Sequence, residues 1–208
     1  MGSLRLHFWS ITGTVAAFLA SLWLNQAVFA GTSFVQGINW IYLPSGVRLL
    51  STLLVGFDGF DGFVGLLVAG LLADFLYWFP HDPVRAIAGA ILGSLAPYLV
   101  YRLALERYHL RASLANLTPT RLLVLAVAYS IANPLLHHIW FALQGNTRNF
   151  GESFLTMFAG DLTGALIMLY AIKGILAFLP TQPNRSRMTD GMFRVRVALD
   201  SAYNNQLR

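Results

Sequence analysis

An all-α integral membrane fold with six transmembrane helices is what this sequence predicts, and three observations predict it. Hydrophobic residues make up 56% of the 208 and charged residues only 11%, where an ordinary soluble domain is about 25% charged. The apolar residues fall into separated runs, each long enough to supply the roughly 20 residues that a bilayer span needs. The arginines collect on one side of those runs, as the positive-inside rule requires. Such a chain in water would present an apolar surface, whereas lipid is a solvent that demands one.

The runs come in order. The first covers residues 8–30. Arg5 precedes it and Val28-Phe29-Ala30 resembles a signal-peptidase site, but Asn25 and Gln26 give the run a polar end, so a retained helix is expected. The second is broken: residues 35–43, then Pro44-Ser45-Gly46, then residues 47–57. Neither half spans alone, and a break at membrane depth is tolerated only where protein or water satisfies the freed backbone. The turn Asp58-Gly59-Phe60-Asp61-Gly62 leads to the third run, 63–79, which Pro80-His81-Asp82-Pro83 stops. The fourth is 84–103, followed by a polar loop over 106–120. The fifth is 122–143 and the sixth 154–179, ended by Pro180 and Pro183. Residues 1–180 thus form the membrane domain and 181–208 a short basic tail. Within the tail, residues 192–198 alternate apolar and basic side chains, suiting a short strand or a segment on anionic lipid.

Charge placement sets the orientation. With the N-terminus inside, the cytoplasmic parts hold Arg5, Arg102, Arg107, Arg111, Arg121, Arg185, Arg187, Arg194, Arg196 and Arg208, and the external loops only Arg85 and Arg148. Both termini are therefore expected in the cytoplasm. The net charge of +5 follows from the cytoplasmic arginines, and no basic groove or recognition motif points to nucleic acid. With no cysteine, thiol catalysis, disulfides and thiolate metal sites are excluded.

Polar residues inside spans are costly and mark candidate function. They are Asn25, Gln26, Arg48, Asp74, Asn133, His137, His138, Asp161 and Lys173. All but Lys173, which can snorkel to the inner interface, fall at mid-depth or in the outer half. This asymmetry predicts a polar pocket opening outward, built from Arg48, Asp74, His137, His138, Asp161 and Asn133. Asp74 shares a helix face with Trp78, and Asn133 with His137, at spacings of four. Trp40, Trp78 and Trp140 sit at one level, as an aromatic belt or as stacking partners for a ligand. Arg48 can neutralise only one of Asp74 and Asp161, which leaves a carboxylate for a ligand, a proton or a histidine, unless the pair is a structural clamp. Arg48 is expected to touch one aspartate, directly or through water.

Adjacent His137 and His138 point about 100° apart and suit no shared metal. A haem would often need a second axial ligand on a facing span, and none stands out. No Ser-His-Asp set at a useful spacing and no phosphate loop accompanies them, so no enzyme, cofactor or metal is expected. Gly89-xxx-Gly93 and Gly160-xxx-Gly164 allow close helix approach within the monomer or in a homo-oligomer.

The stretches Trp40-Ile41-Tyr42-Leu43-Pro44-Ser45-Gly46-Val47-Arg48-Leu49-Leu50 and Phe158-Ala159-Gly160-Asp161-Leu162-Thr163-Gly164-Ala165-Leu166 resemble the first type of membrane-associated sensor (MASE) domain. That family typically shows a Trp before Pro-Pro-Ala/Ser-Gly, and a Gly-Asp-x-x-Gly motif in its last spans. Here Leu43 stands for the first proline and Arg48 adds a charge. The resemblance implies a bacterial sensory module without an output domain, acting through a cytoplasmic or membrane signalling partner on a small ligand from outside. The alternatives are a small-solute transporter or the substrate-binding subunit of an energy-coupling-factor-type transporter, and a membrane assembly or structural factor. Six helices, an outward pocket and Ala16-xxx-Ala20 in the first helix are features such a substrate-binding subunit would share.

Overall fold

The computed structural model describes residues 2–55, 59–108, 118–146 and 149–178. It is nearly all helical: α1 (Gly2–Phe29), α2 (Pro44–Leu54), α3 (Phe60–Ala73), α4 (Pro83–Tyr108), α5 (Pro119–Leu143) and α6 (Phe150–Phe178). Five helices, all but α2, are long and apolar enough to cross a membrane, so this is a multi-pass membrane protein. Large apolar side chains such as Trp23, Leu76 and Leu135 stand exposed on their outer surfaces, where lipid is their natural solvent. The compact unit is Met1–Ala171, and Ile172–Arg208 forms a second unit whose described part is the last turns of α6. The expected boundary at residue 180 and the basic tail lie outside the described residues.

Neighbouring helices fix the chain direction. His7 near the start of α1 meets Asp61 near the start of α3 at 2.8 Å, and Gly65 packs on Thr14, so α1 and α3 run parallel. A chain cannot place two consecutive long helices parallel without returning between them. The return is made by residues 30–54. α4 then runs antiparallel to α3, with Gly70 on Ala90. α5 is antiparallel to α6, with Asn133 against Asp161 and His138 against Phe150.

This return segment corrects the expectation of one helix broken near Pro44. Only its second half is helical. Residues 33–39 form a tight hairpin of β1 (Ser33–Val35) and β2 (Ile38–Asn39), paired antiparallel with Val35 opposite Ile38. Gly37 adopts φ +85 at the turn, a conformation open to glycine at no steric cost. The chain then bends at Trp40 and Ile41 and turns at Leu43, and α2 begins at Pro44. Proline suits that first position, because its missing N–H would have had no helical partner.

Irregular backbone inside a helical membrane protein needs partners, and it has them. Trp40 N–H donates to the Thr32 carbonyl (2.9 Å) and Tyr42 N–H to that of Gly160 (3.1 Å). Leu43 N–H donates to Asn25 Oδ1 (2.8 Å), and the Trp40 carbonyl accepts from Thr163 Oγ1 (3.1 Å). The Ser45 hydroxyl bonds to the carbonyls of Tyr42 (2.7 Å) and Asp161 (2.8 Å). Gly160 and Gly164 make this approach possible. A Cβ on either would collide with the carbonyl of Asn39 or Tyr42. The two stretches that carry the sensor-domain resemblance are thus packed on each other, backbone to backbone.

Eight of the 11 residues of α2 are buried, so it is a central element and not a lipid-facing one. Val47 joins a core with Phe18 and Leu22 of α1 and Leu66 and Ala69 of α3. Leu49 and Leu53 join a second core with Ala96 and Val100 of α4 and Ala126 and Tyr129 of α5. Arg48 lies between these two sets, at the seam.

Candidate functional site

Arg48 is placed by α2, beside Phe18 of α1, which is 11 residues from Phe29, or roughly 16 Å from that end of the helix. The guanidinium carbon lies 5.3 Å from the Phe18 ring centre and 5.4 Å from that of Tyr42. On α4 the space opposite is cleared by glycine: a Cβ on Gly93 would come within 2.7 Å of Arg48 Nη2. One turn away a Cβ on Gly89 would come within 2.8 Å of Asp74 Oδ2. The Gly89-xxx-Gly93 pair, expected to serve helix contact, therefore makes room for a carboxylate and a guanidinium on one stripe of α4.

Asp74 opens a single π-helical turn, Asp74–Trp78, that ends α3. Phe79 N–H closes it on the Asp74 carbonyl at 2.7 Å. The extra residue in such a turn re-aims the side chains around it, and such turns recur at functional sites. Trp78 is buried, and its carbonyl accepts from the Gln36 amide at the hairpin tip. Asp161, on α6 and also buried, accepts from Asn133 Nδ2 at 2.7 Å. His137 Nδ1 lies 2.9 Å from the Asn133 carbonyl. A carbonyl only accepts, so Nδ1 carries the proton and Nε2 of the neutral ring is left as an acceptor.

These groups meet in one cavity of about 60 Å³. Arg48, Asp74, Trp78, His137 and Asp161 all line it, and Asn133 holds Asp161 from behind. Gln36, Asn39, Tyr42 and Arg85 add to its polar lining. The cavity lies toward the end of the bundle that carries the hairpin, the 79–82 connection and the end of α5. The clustering expected from depth alone is thereby observed among side chains of the hairpin and α2 to α6.

Two expected members stand elsewhere. Trp40 is 49% exposed and contributes its backbone carbonyl to α6 instead. His138 points away from the cavity, as the 100° rotation per residue dictates. It is boxed by the rings of Phe141, Phe150 and Phe154, with Nδ1 bonded to the Pro134 carbonyl at 2.8 Å. Asn25 is a backbone bracket for Leu43, and Lys173 is exposed on α6.

Direct contact between Arg48 and an aspartate is not found. Among the described residues the ion pair within 4.0 Å is that of His7 with Asp61. The buried Tyr129 hydroxyl is the polar side-chain neighbour of the guanidinium, and Asp161 and Tyr42 also lie close enough to act on it electrostatically. An arginine at the bilayer centre costs at least about 2.5–3.5 kcal/mol. Two cation–π contacts return about 1–4 kcal/mol, and among the described residues no carboxylate lies within 4.0 Å of the N–H groups.

Tyr42, Asn39, Arg85 and Tyr129 did not stand out in the sequence. Tyr129 had a signal: it precedes Asn133 and His137 at steps of four and so shares their face. Arg85 counts as an external-loop charge in the sequence, and Asn39 depends on the hairpin, which has no helical or strand periodicity. Among the described residues no cluster of three or more His, Asp or Glu suits a metal ion. Comparison with protein-family models, with curated proteins and with solved structures found no match.

Proposed function

We propose that this chain is a multi-pass ligand-binding module of sensor type, acting through a partner protein and not by catalysis. In this reading it crosses a bacterial inner membrane six times, the second crossing being the hairpin with α2, and both termini face the cytoplasm. The cavity then opens to the external side. The observation that carries the reading is the Arg48 guanidinium: at mid-depth, without an ion pair, in a cavity shared with Asp74, Asp161 and His137. A group built only as a clamp would be paired, since removing one partner of a buried pair is what destabilises. The packing of the two MASE-like stretches against each other supports keeping a MASE-type sensory domain within this proposal.

One observation favours a second reading, a small-solute transporter. A half-helix joined to irregular, non-helical backbone at mid-depth is how discontinuous helices build transport sites. The cavity size restricts that reading to small solutes. About 60 Å³ holds a few waters or a small ion, whereas drug-sized ligands occupy about 300–1,000 Å³, so a vitamin-sized substrate does not fit this state.

The test is thermal unfolding of the wild type, Arg48→Leu, Asp161→Leu and the double variant, with and without candidate solutes. A ligand site predicts a folded double variant that has lost all solute-dependent stabilisation. A clamp predicts that no solute stabilises the wild type and that the double variant recovers what the single changes lose.

A further inference from the structure

The charges around the cavity restrict what can enter it. Tyr42 and Arg48 face it from the hairpin and α2, Asp74 from the π turn, Arg85 from α4, His137 from α5 and Asp161 from α6. Tyr129 lies behind Arg48 and His138 behind His137, while α1 meets Arg48 with the Phe18 ring. Two guanidiniums and two carboxylates cancel when the histidines are neutral. The rings of Phe18 and Tyr42 lie against the guanidinium of Arg48 and the Tyr129 hydroxyl neighbours it, but the group lines the cavity with no carboxylate within 4.0 Å, and a guanidinium fork matches two oxygens of a planar anion. An unpartnered donor supports an anion there: the Asn39 amide nitrogen, in a side chain only 4% exposed that lines the cavity. An anion alone would leave the cavity with excess negative charge in a poorly polarisable surrounding, which is strongly disfavoured. One proton restores the balance.

We propose that the cavity binds a small planar oxyanion, of the size class of nitrate or formate, on the Arg48 fork together with one proton on Asp161, Asp74 or His137. This rests on reading the cavity as a ligand site. The acceptors for the proton are in place. Asp161 engages Asn133 through Oδ2, and its other oxygen takes no hydrogen bond from the described residues. His137 is held in the tautomer whose Nε2 accepts. The proton comes from water and no bond other than that to the proton is made or broken. Gly93 is the steric guard of the site, because a methyl there takes the space of the guanidinium itself.

The experiment is isothermal titration of sodium nitrate and sodium formate into the purified full chain, in two buffers of different ionisation heat, from about pH 5.5 to 8. Nitrate is the key probe, since its own proton affinity is negligible. The proposal expects saturable binding with one proton taken up per anion, and an affinity that falls about tenfold per pH unit in the upper part of the range. Gly93→Ala, whose new methyl meets only the end of a flexible side chain, should stay folded and lose binding at least tenfold. One of Asp161→Asn, Asp74→Asn or His137→Gln should flatten the pH dependence. Nitrate binding without proton uptake overturns the coupling. If zwitterionic or neutral solutes bind and are lost in Gly93→Ala while both anions fail, the oxyanion assignment is overturned and the ligand site stands. If no solute binds and the Arg48→Leu/Asp161→Leu variant is as stable as the wild type, the ligand reading itself falls.

Discussion

Replacing Gly164 by alanine tests how the return segment is held. The new Cβ would fall on the Tyr42 carbonyl and come within 2.7 Å of Ser45 Oγ. Neither neighbour is a flexible side-chain end. Tyr42 is tied to the Gly160 carbonyl and Ser45 to that of Asp161, so the segment from Trp40 to Ser45 must lift off α6 as a unit. Overpacking of this kind costs about 1–3 kcal/mol. Weakening the Tyr42 and Thr163 bonds adds about 1 kcal/mol each. The sum of about 3–5 kcal/mol corresponds to a fall in Tm of roughly 6–20 °C for a chain of this size. Gly13 in α1 is the control, because a Cβ there meets nothing within 4 Å, and alanine in a helix gains up to about 1 kcal/mol over glycine. Thermal unfolding in detergent, followed by circular dichroism or tryptophan fluorescence, reads both. Gly164→Ala melting within about 2 °C of the wild type, which is less than 1 kcal/mol, would refute the backbone-on-backbone packing.

Three further outcomes are expected. Asn25→Ala leaves the buried Leu43 N–H without its acceptor and should cost about 1–3 kcal/mol, whereas Gln26→Ala, which removes an amide nitrogen with no partner, should cost less; paired melting curves read the difference. Since the chain has no cysteine, single cysteines at Asn116, Asn146 and Ser186 report topology directly, and an impermeant reagent added to intact cells should label only the Asn146 site. Arg48→Lys keeps the charge but removes the planar fork, so the protein should remain folded while anion affinity drops at least tenfold, a loss that titration measures.

Much of this architecture is legible in the sequence, for identifiable reasons. The five long helices follow from apolar runs whose ends carry proline or polar clusters, and these signals are local. The site residues followed from a different argument: burying Arg48, Asp74 or Asp161 in lipid is costly, so they had to share an interior. That holds regardless of which helices are neighbours. It also explains the errors. Trp40 and His138 were grouped by depth, but depth says nothing of azimuth, and a one-residue step on α5 turns His138 into a box of phenylalanines. The hairpin over 33–39 was invisible because its apolar residues continue the run expected of a helix. Its extended form depends on tertiary partners, Gly160, Thr163 and Asn25, that lie far off in sequence. The π turn that follows Ala73 has no sequence signature at all.

The state of Arg48 is the point on which the functional account turns, and an experimental map of the purified protein at side-chain resolution tests it most directly. The account predicts the guanidinium stacked between Phe18 and Tyr42, more than 4.0 Å from both carboxylates, with density on its N–H edge that no protein atom explains. A guanidinium clamped on Asp74 or Asp161, with the cavity closed around the pair, would contradict it.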